Sequence, residues 1–301
     1  MDRKKTTGVL QAMAAYGLWG ILPIYWKLID RVFSMEILAN RIVWAFVFTV
    51  VIVTVTRQWA QVRRILKDRK TMLSICIASI LIAFNWGLYI WAVNSDRIVD
   101  ASLGYYINPL LAVALGVILF KEKLNRWTAA ALAIALIGVV IKTVQYGKVP
   151  WVSLGLAVSF ALYGAMKKTI AVSSILGLTL ETAMLVPVAA IYLGMRQAGG
   201  QSALGTQPVW VALLLMGAGV VTAIPLLLFA SATRRLPLSL IGFTQYISPT
   251  LSLLIGVTIY RENFTAVDLT AFCFIWIALG VYTMSQVNLS KNPQRTERIS
   301  A

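Results

Sequence analysis

Two stretches of the chain, 140 positions apart, share one pattern and decide the fold. Residues Leu103–Glu122 read LGYYINPLLAVALGVILFKE, and residues Phe243–Glu262 read FTQYISPTLSLLIGVTIYRE. Aligned without a gap, they match at Tyr106/Tyr246, Ile107/Ile247, Pro109/Pro249, Leu111/Leu251, Gly116/Gly256, Val117/Val257 and Glu122/Glu262. Apolar segments often resemble one another by chance, but a matched tyrosine, proline, glycine and glutamate indicate an internal repeat.

The composition around these stretches is that of a membrane protein. Of 301 residues, 59% are hydrophobic and 13% charged, and the mean hydropathy is +0.79. A soluble domain carries about a quarter of charged residues, whereas a bilayer core of ~30 Å needs roughly 20 apolar residues per helix. We therefore expect an all-α membrane protein with ten transmembrane helices. Their expected bounds are Gly8–Leu28, Ser34–Thr56, Met72–Val93, Ala101–Phe120, Trp127–Val144, Val152–Lys168, Ile175–Met195, Pro208–Thr233, Leu238–Tyr260 and Phe264–Gln286.

The repeat divides these helices into two halves of five. We expect a first repeat over residues 1–144, a second over 145–287, and a polar cytoplasmic tail over 288–301. Because five is odd, the second half must enter the membrane in the opposite orientation. Inverted repeats of this kind are typical of secondary transporters, whose substrate site lies near the midplane between the halves.

The distribution of lysine and arginine predicts the orientation. With the N-terminus inside, 19 of the 27 basic residues fall on the cytoplasmic side and seven on the other side, while Arg41 lies within a span. This asymmetry predicts that both termini are cytoplasmic in a multi-pass protein of the inner membrane. The first helix follows MDRKKTTG without a cleavage site, which favours a retained helix over a signal peptide.

Several other functions are disfavoured by composition. The net charge of +16 resides in short loops between apolar runs and not on an aromatic-lined face, so we expect no nucleic-acid partner. Cys76 and Cys273 lack a CxxC or CxxH context and the chain has no histidine, so we expect no metal and no cofactor. The expected partners are the lipid bilayer, a small-molecule substrate and a proton as candidate coupling ion.

Two ionisable residues lie deep within predicted spans. Arg41 is seven residues into the second helix, roughly 10 Å along its axis, and Glu181 lies at a similar depth in the seventh. Charged groups at such depth are costly and usually functional. Arg41 either binds substrate or takes part in gating, or its side chain extends toward the periplasmic boundary and Glu36. A direct ion pair between Arg41 and Glu181 is a further alternative that the sequence leaves open.

The repeated prolines mark a second candidate site. Pro109 frees the carbonyl of Tyr105 and Pro249 that of Gln245, because proline has no N–H to donate. In lipid, a freed carbonyl must face protein, water or substrate. The functional interpretation is a gate or site wall, and the alternative is a structural kink without ligand contact. The lining residues of that wall are Tyr105, Tyr106, Asn108, Gln245 and Tyr246.

Aromatic residues inside the spans give a third group of candidates. Trp86 and Tyr89 lie beside Asn85 in the third helix, and Trp19 lies inside the first. They either line a cavity or pack the core. Trp26 lies near a span end, where aromatic residues usually form an interfacial belt.

The motifs of this chain resemble the RarD family of the drug/metabolite transporter superfamily, close to the EamA group. They are GLWGILPIYWK (Gly17–Lys27), EILANRIVW (Glu36–Trp44), NWGLYIWAVNS (Asn85–Ser95), ASLGYYINPL (Ala101–Leu110), LETAMLVPVAAIYL (Leu180–Leu193), PLLLFASATRRLPLS (Pro225–Ser239) and QYISPTLSLL (Gln245–Leu254). The resemblance covers the whole chain and implies a ten-helix carrier with two EamA-like repeats. It departs at Asn40, where the family often has histidine, which puts a proton-coupling role at that position in doubt.

These observations together predict a secondary transporter, in the exporter direction, for a small polar or amphipathic metabolite or drug. Alternating access would arise from rocking of the two halves about a midplane cavity. Two other classes stay open: a non-transporting membrane sensor or regulator of the same fold, and an intramembrane transferase. The transferase is disfavoured because the helix interiors offer a single clear acid, Glu181, and no histidine.

Overall fold

The computed structural model describes residues 3–120, 126–170, 172–233 and 244–291, and every regular element in these ranges is helical. In chain order the helices are α1 (Arg3–Lys27), α2 (Ser34–Val55), α3 (Trp59–Lys67), α4 (Arg69–Asn94), α5 (Ile98–Phe120), α6 (Arg126–Tyr146), α7 (Trp151–Thr169), α8 (Ser174–Ala198), α9 (Ala203–Thr206), α10 (Val209–Thr233), α11 (Ile247–Leu254) and α12 (Ala266–Lys291). A π-helical turn, Ile255–Ile259, continues α11.

The long helices are those of a multi-pass membrane protein. In the described ranges, eight are long and apolar enough to cross a bilayer. Two shorter apolar helices, Trp151–Lys167 and Ile247–Ile259, occupy the sixth and ninth predicted spans. The first residues of the predicted span Leu238–Tyr260 lie outside the described residues, as does Glu122 of the repeat. The prediction of an all-α membrane protein is therefore confirmed, and the ten-helix count stays a prediction.

Two helices were absent from the sequence-based prediction, α3 and the four-residue α9. The segment between the second and third spans, expected as a basic loop, forms α3. Asp68 separates it from α4 and caps the latter, because its Oδ1 accepts hydrogen bonds from the N–H groups of Lys70 and Thr71. A hydrogen bond from the Thr71 hydroxyl, together with these two bonds, holds the pKa of the Asp68 carboxyl below its usual value.

The helices pack in a defined set of neighbours. The main pairs are α6 with α12, α5 with α7, α2 with α8, α2 with α10, α1 with α10, α4 with α7, α1 with α11, α5 with α11 and α4 with α8. Glycine permits two of these approaches. A Cβ at Gly219 of α10 would lie 2.2 Å from the Trp44 carbonyl carbon of α2, and one at Gly104 of α5 would lie 2.7 Å from the Ser153 oxygen of α7.

Candidate substrate site

Arg41 lies at the meeting point of several helices. The helix α2 begins at Ser34, as predicted, so that Arg41 lies roughly 10 Å along its axis. Only 4% of the residue is exposed. Its Nε donates a hydrogen bond of 2.9 Å to Oγ1 of Thr222 on α10. Arg41 therefore points across the bundle to α10 and not toward Glu36.

Aromatic rings enclose the Arg41 guanidinium. Its Cζ lies 4.1 Å from the ring centroid of Trp86 and 5.1 Å from that of Trp26. Tyr89 and Tyr105 lie close enough to interact with it electrostatically, and their rings meet edge to face, with centroids 5.6 Å apart. The assignment of Trp26 to an interfacial belt was wrong, because this side chain is fully buried. Trp26 packs in the hydrophobic core with Leu22 and Ile29, and the Arg41 cation over its indole face adds a favourable interaction.

Asn85 positions one wall of this aromatic site. Its Nδ2 donates to the carbonyl oxygen of Leu156 at 3.0 Å and to Oγ of Ser159 at 2.9 Å, both on α7. Its Oδ1 accepts a hydrogen bond of 3.2 Å from the Tyr105 hydroxyl. Asn85 thus fixes the phenol of Tyr105 and links α4, α5 and α7 through a buried amide whose polar atoms are satisfied.

Glu181 belongs to a different cluster. Its Oε1 accepts from Nζ of Lys167 at 2.6 Å, and its Oε2 accepts from the Tyr163 hydroxyl at 3.0 Å. Lys167 lies over Gly177, where a Cβ would come within 2.5 Å of its Nζ. Arg41 and Glu181 therefore do not pair in this structure: each has its own partners.

The repeated segments contact each other where α5 packs against α11. The Tyr106 hydroxyl hydrogen-bonds Oγ1 of Thr250, and its ring stacks on that of Tyr246. Asn108 donates to the carbonyl oxygen of Ala157 at 3.2 Å. Pro109 lies within the continuous helix α5, and Pro249 is buried in the first turn of α11.

The last two candidates also lie outside the aromatic site. Gln245 is half-buried in the turn that precedes α11. Trp19 packs with Tyr16 and Phe229. Of the predicted residues, the structure therefore brings together Arg41, Asn85, Trp86, Tyr89 and Tyr105, and places the others elsewhere.

The sequence analysis did not predict the ion pairs at one end of the bundle. Nζ of Lys142 on α6 lies 2.6 Å from Asp100 of α5 and 3.2 Å from Asp268 of α12. Lys27 at the end of α1 pairs with Asp96. A pocket of about 380 Å³ is lined by Asp96, Asp100, Lys142 and Asp268. The only sequence signal was the proximity of acidic and basic residues to the helix ends on this side.

Two further carboxylates join elements at the same end of the bundle. Glu262 accepts hydrogen bonds of 2.8 Å from the N–H groups of Ile98 and Val99, and so caps α5. Burial raises the pKa of the Glu262 carboxyl, although these two N–H groups oppose the shift. Glu36 accepts from Nη2 of Arg196 at 3.1 Å and from the N–H of Ala203 at 2.7 Å.

Comparison with known proteins assigns the family. The sequence profile of the EamA-like transporter family matches residues 6–144. The chain is 46% identical to the protein RarD of Salmonella typhi, over 95% of this chain and 98% of that one. The chain belongs to the RarD family of EamA-like transporters. It is also 48% identical to the uncharacterized transporter YojE of Bacillus subtilis, over 93% of this chain and 94% of the relative.

A solved structure supports the fold of the RarD-family chain. One crystal structure aligns with a TM-score of 0.58, covering 92% of this chain and 97% of its own. The two sequences are 17% identical, so this likeness bears on the arrangement of helices alone. The near-complete coverage in both directions shows that the whole helical bundle, and not one half of it, has a counterpart among known folds.

Proposed function

We propose that this chain is a secondary transporter that exports a small polar or amphipathic organic solute through the cytoplasmic membrane by alternating access. The observation that carries the proposal is the aromatic site around Arg41. A permanently charged side chain is buried inside an apolar bundle, where charge is costly and usually serves a transport pathway. The membership in a transporter family supports the same function.

The proposed mechanism requires two halves of opposite orientation, 1–144 and 145–287. Helix packing supports this division. In this division, each long helix of the first half has a counterpart in the second: α7 for α1, α8 for α2, α10 for α4, α11 for α5 and α12 for α6. Exchanging counterparts converts the packed pair α1–α11 into α7–α5 and the packed pair α2–α10 into α8–α4. Both resulting pairs are also packed in the structure. The pairs α2–α8, α5–α11 and α6–α12 convert into themselves. Such an exchange is expected for inverted repeats.

The ion pairs at one end of the bundle would act as the outer gate. With both termini cytoplasmic, the ends of α1, α4 and α6 face the periplasm. Lys142 then joins three helix ends on that face, and Glu262 ties α5 to the loop before α12. The structure would correspond to a state closed to the outside, in which Arg41 is sealed from the periplasm. Export requires these contacts to break when the site opens to the periplasm.

A two-stage experiment tests the proposal. Metabolites would first be measured in cells and in medium for a deletion strain and for a strain that overexpresses the chain. Solutes that change in opposite directions would then be tested by counterflow in proteoliposomes containing the purified protein. We expect saturable counterflow that requires the protein and is reduced by Arg41→Gln. A sensor or regulator would change metabolite levels in cells but give no counterflow.

A further inference from the structure

The surroundings of Arg41 are unbalanced in charge. Arginine keeps its proton under all ordinary conditions, and its five N–H groups can only donate. In this structure the guanidinium has one hydroxyl acceptor, Thr222, and two indole faces. A buried charge normally requires an opposite charge nearby. None of the described residues provides a carboxylate in an ion pair with Arg41.

The buried carboxylates of the described residues are bound elsewhere. Glu36 is bound by Arg196, Ser202 and Ala203. Glu181 is bound by Lys167 and Tyr163, and Asp268 by Lys142. None of these carboxylates can turn to Arg41 without leaving another charge or N–H group unpaired, which is unfavourable in a buried environment.

Two donors in this site have no acceptor. Among the described residues, Nη1 of Arg41 and Nε1 of Trp26 are buried and make no hydrogen bond. The two side chains are in contact, since Cζ of Arg41 lies 5.1 Å from the Trp26 ring. Buried donors are almost always satisfied in folded proteins. Both atoms donate only, so the missing group must supply acceptors, and the charge of Arg41 favours an anion.

We propose that the transported solute is an organic carboxylate whose anionic group binds Arg41, with Trp26 donating to it. This inference rests on the proposed transport function and names its substrate class. A carboxylate presents two acceptor oxygens in the geometry that a guanidinium binds best. It neutralises the single charge of Arg41, whereas a dianionic phosphate would leave a net charge buried in the bundle. The rest of the solute would pack against Trp86 and Tyr89, which are buried in this closed state and would become accessible when the site opens.

Matched pairs of probes separate charge from shape. Thermal unfolding of the purified full chain in detergent would be measured with benzoate and phenylacetate, and with benzamide and phenylacetamide, which differ mainly in the anionic group. A ligand that binds the folded state raises the unfolding temperature. We expect the carboxylates to raise it in a saturable manner and the amides to have a much smaller effect.

Substitutions then test the assigned residues. Arg41→Gln should weaken carboxylate binding on the order of tenfold to a hundredfold, because a charge-assisted hydrogen bond is lost. Trp26→Phe keeps the ring but removes the N–H, and should weaken binding by about fivefold. Arg41→Lys, which keeps the charge, should retain more affinity than Arg41→Gln. The control is Arg63→Gln on the exposed face of α3, which should bind as the unchanged protein does.

The outcomes keep the two proposals apart. Amides that bind as well as carboxylates, undiminished carboxylate binding in Arg41→Gln, or no carboxylate effect on the folded chain would each overturn the anionic site. If Arg41→Gln does not fold, Trp26→Phe and Arg41→Lys decide in its place. Counterflow of labelled phenylacetate provides the second readout. Carboxylate binding without counterflow contradicts the carrier but retains the site, and counterflow of the amides alone contradicts the site but retains the carrier.

Discussion

The ring of Tyr106 stacks on the ring of Tyr246, with centroids 6.3 Å apart and an angle of 13° between the planes. The two residues are equivalent in the predicted repeat, so corresponding side chains, one on α5 and one at the start of α11, meet where those helices pack against each other. An inverted repeat brings such positions together at its axis. The proposed movement of one half against the other would change this contact.

The prolines that follow these tyrosines should act in opposite directions. Pro109→Ala restores an N–H donor to α5 and should favour one facing state, while Pro249→Ala should favour the other. Thiol labelling of a cysteine at Tyr105 or Gln245, from each side of the membrane and in a background without Cys76 and Cys273, measures the shift. If both variants shift the labelling in the same direction, or if neither shifts it, the prolines have a packing role only.

The Glu181–Lys167 pair should contribute to stability and to transport separately. Lys167→Met leaves the Glu181 carboxylate buried with Tyr163 as its remaining partner, and should destabilise the protein by about 1–3 kcal/mol. Adding Glu181→Gln removes the uncompensated charge and should restore most of the stability. Transport should stay impaired in the double variant if the pair serves the pathway. Recovery of both properties would assign the pair a structural role only.

The two ion pairs of Lys142, with Asp100 and with Asp268, should keep the periplasmic end of the bundle closed. Lys142→Met removes contacts to two helix ends at once and should increase labelling of the aromatic site from the periplasm severalfold. Arg97→Met is the matched control, because Arg97 is 45% exposed and lies 3.7 Å from Asp100. Such an exposed pair contributes little. An equal effect of the two substitutions would argue against a specific gate.

The orientation can be measured without any substrate. Reporter fusions after Thr56 and after Gln286 should both show the cytoplasmic phenotype, because the basic residues cluster on that side. A periplasmic result at either fusion would be incompatible with two halves of five helices.

The sequence was sufficient to predict an all-α membrane protein, because lipid imposes long apolar runs that are visible in one dimension. It also predicted the depth of Arg41, since that depth follows from counting residues from Ser34. Trp26 was misassigned because its position near a helix end suggested an interface, whereas its burial follows from packing against other helices, including Arg41 of α2. The helix α3 was missed because its short amphipathic sequence resembles a basic loop.

The partners of charged residues could not be predicted for a related reason. Glu36 and Arg196 are 160 positions apart, and Lys142 and Asp100 are 42 apart. The spacing of charges along one helix carries no information about which residue a second helix presents. Choosing among the acids for Lys142, or excluding Glu181 as a partner of Arg41, required the packing of the helices.

Accessibility of the aromatic site from both membrane faces tests the central claim most directly. Thr222→Cys places a thiol where the Thr222 hydroxyl contacts Arg41, with a small change in volume. In a background without Cys76 and Cys273, a membrane-impermeant thiol reagent would be applied to right-side-out and to inside-out vesicles. Alternating access predicts labelling from each face, with the periplasmic rate increased by Lys142→Met. Labelling from one face alone, unchanged by that substitution, would contradict the account.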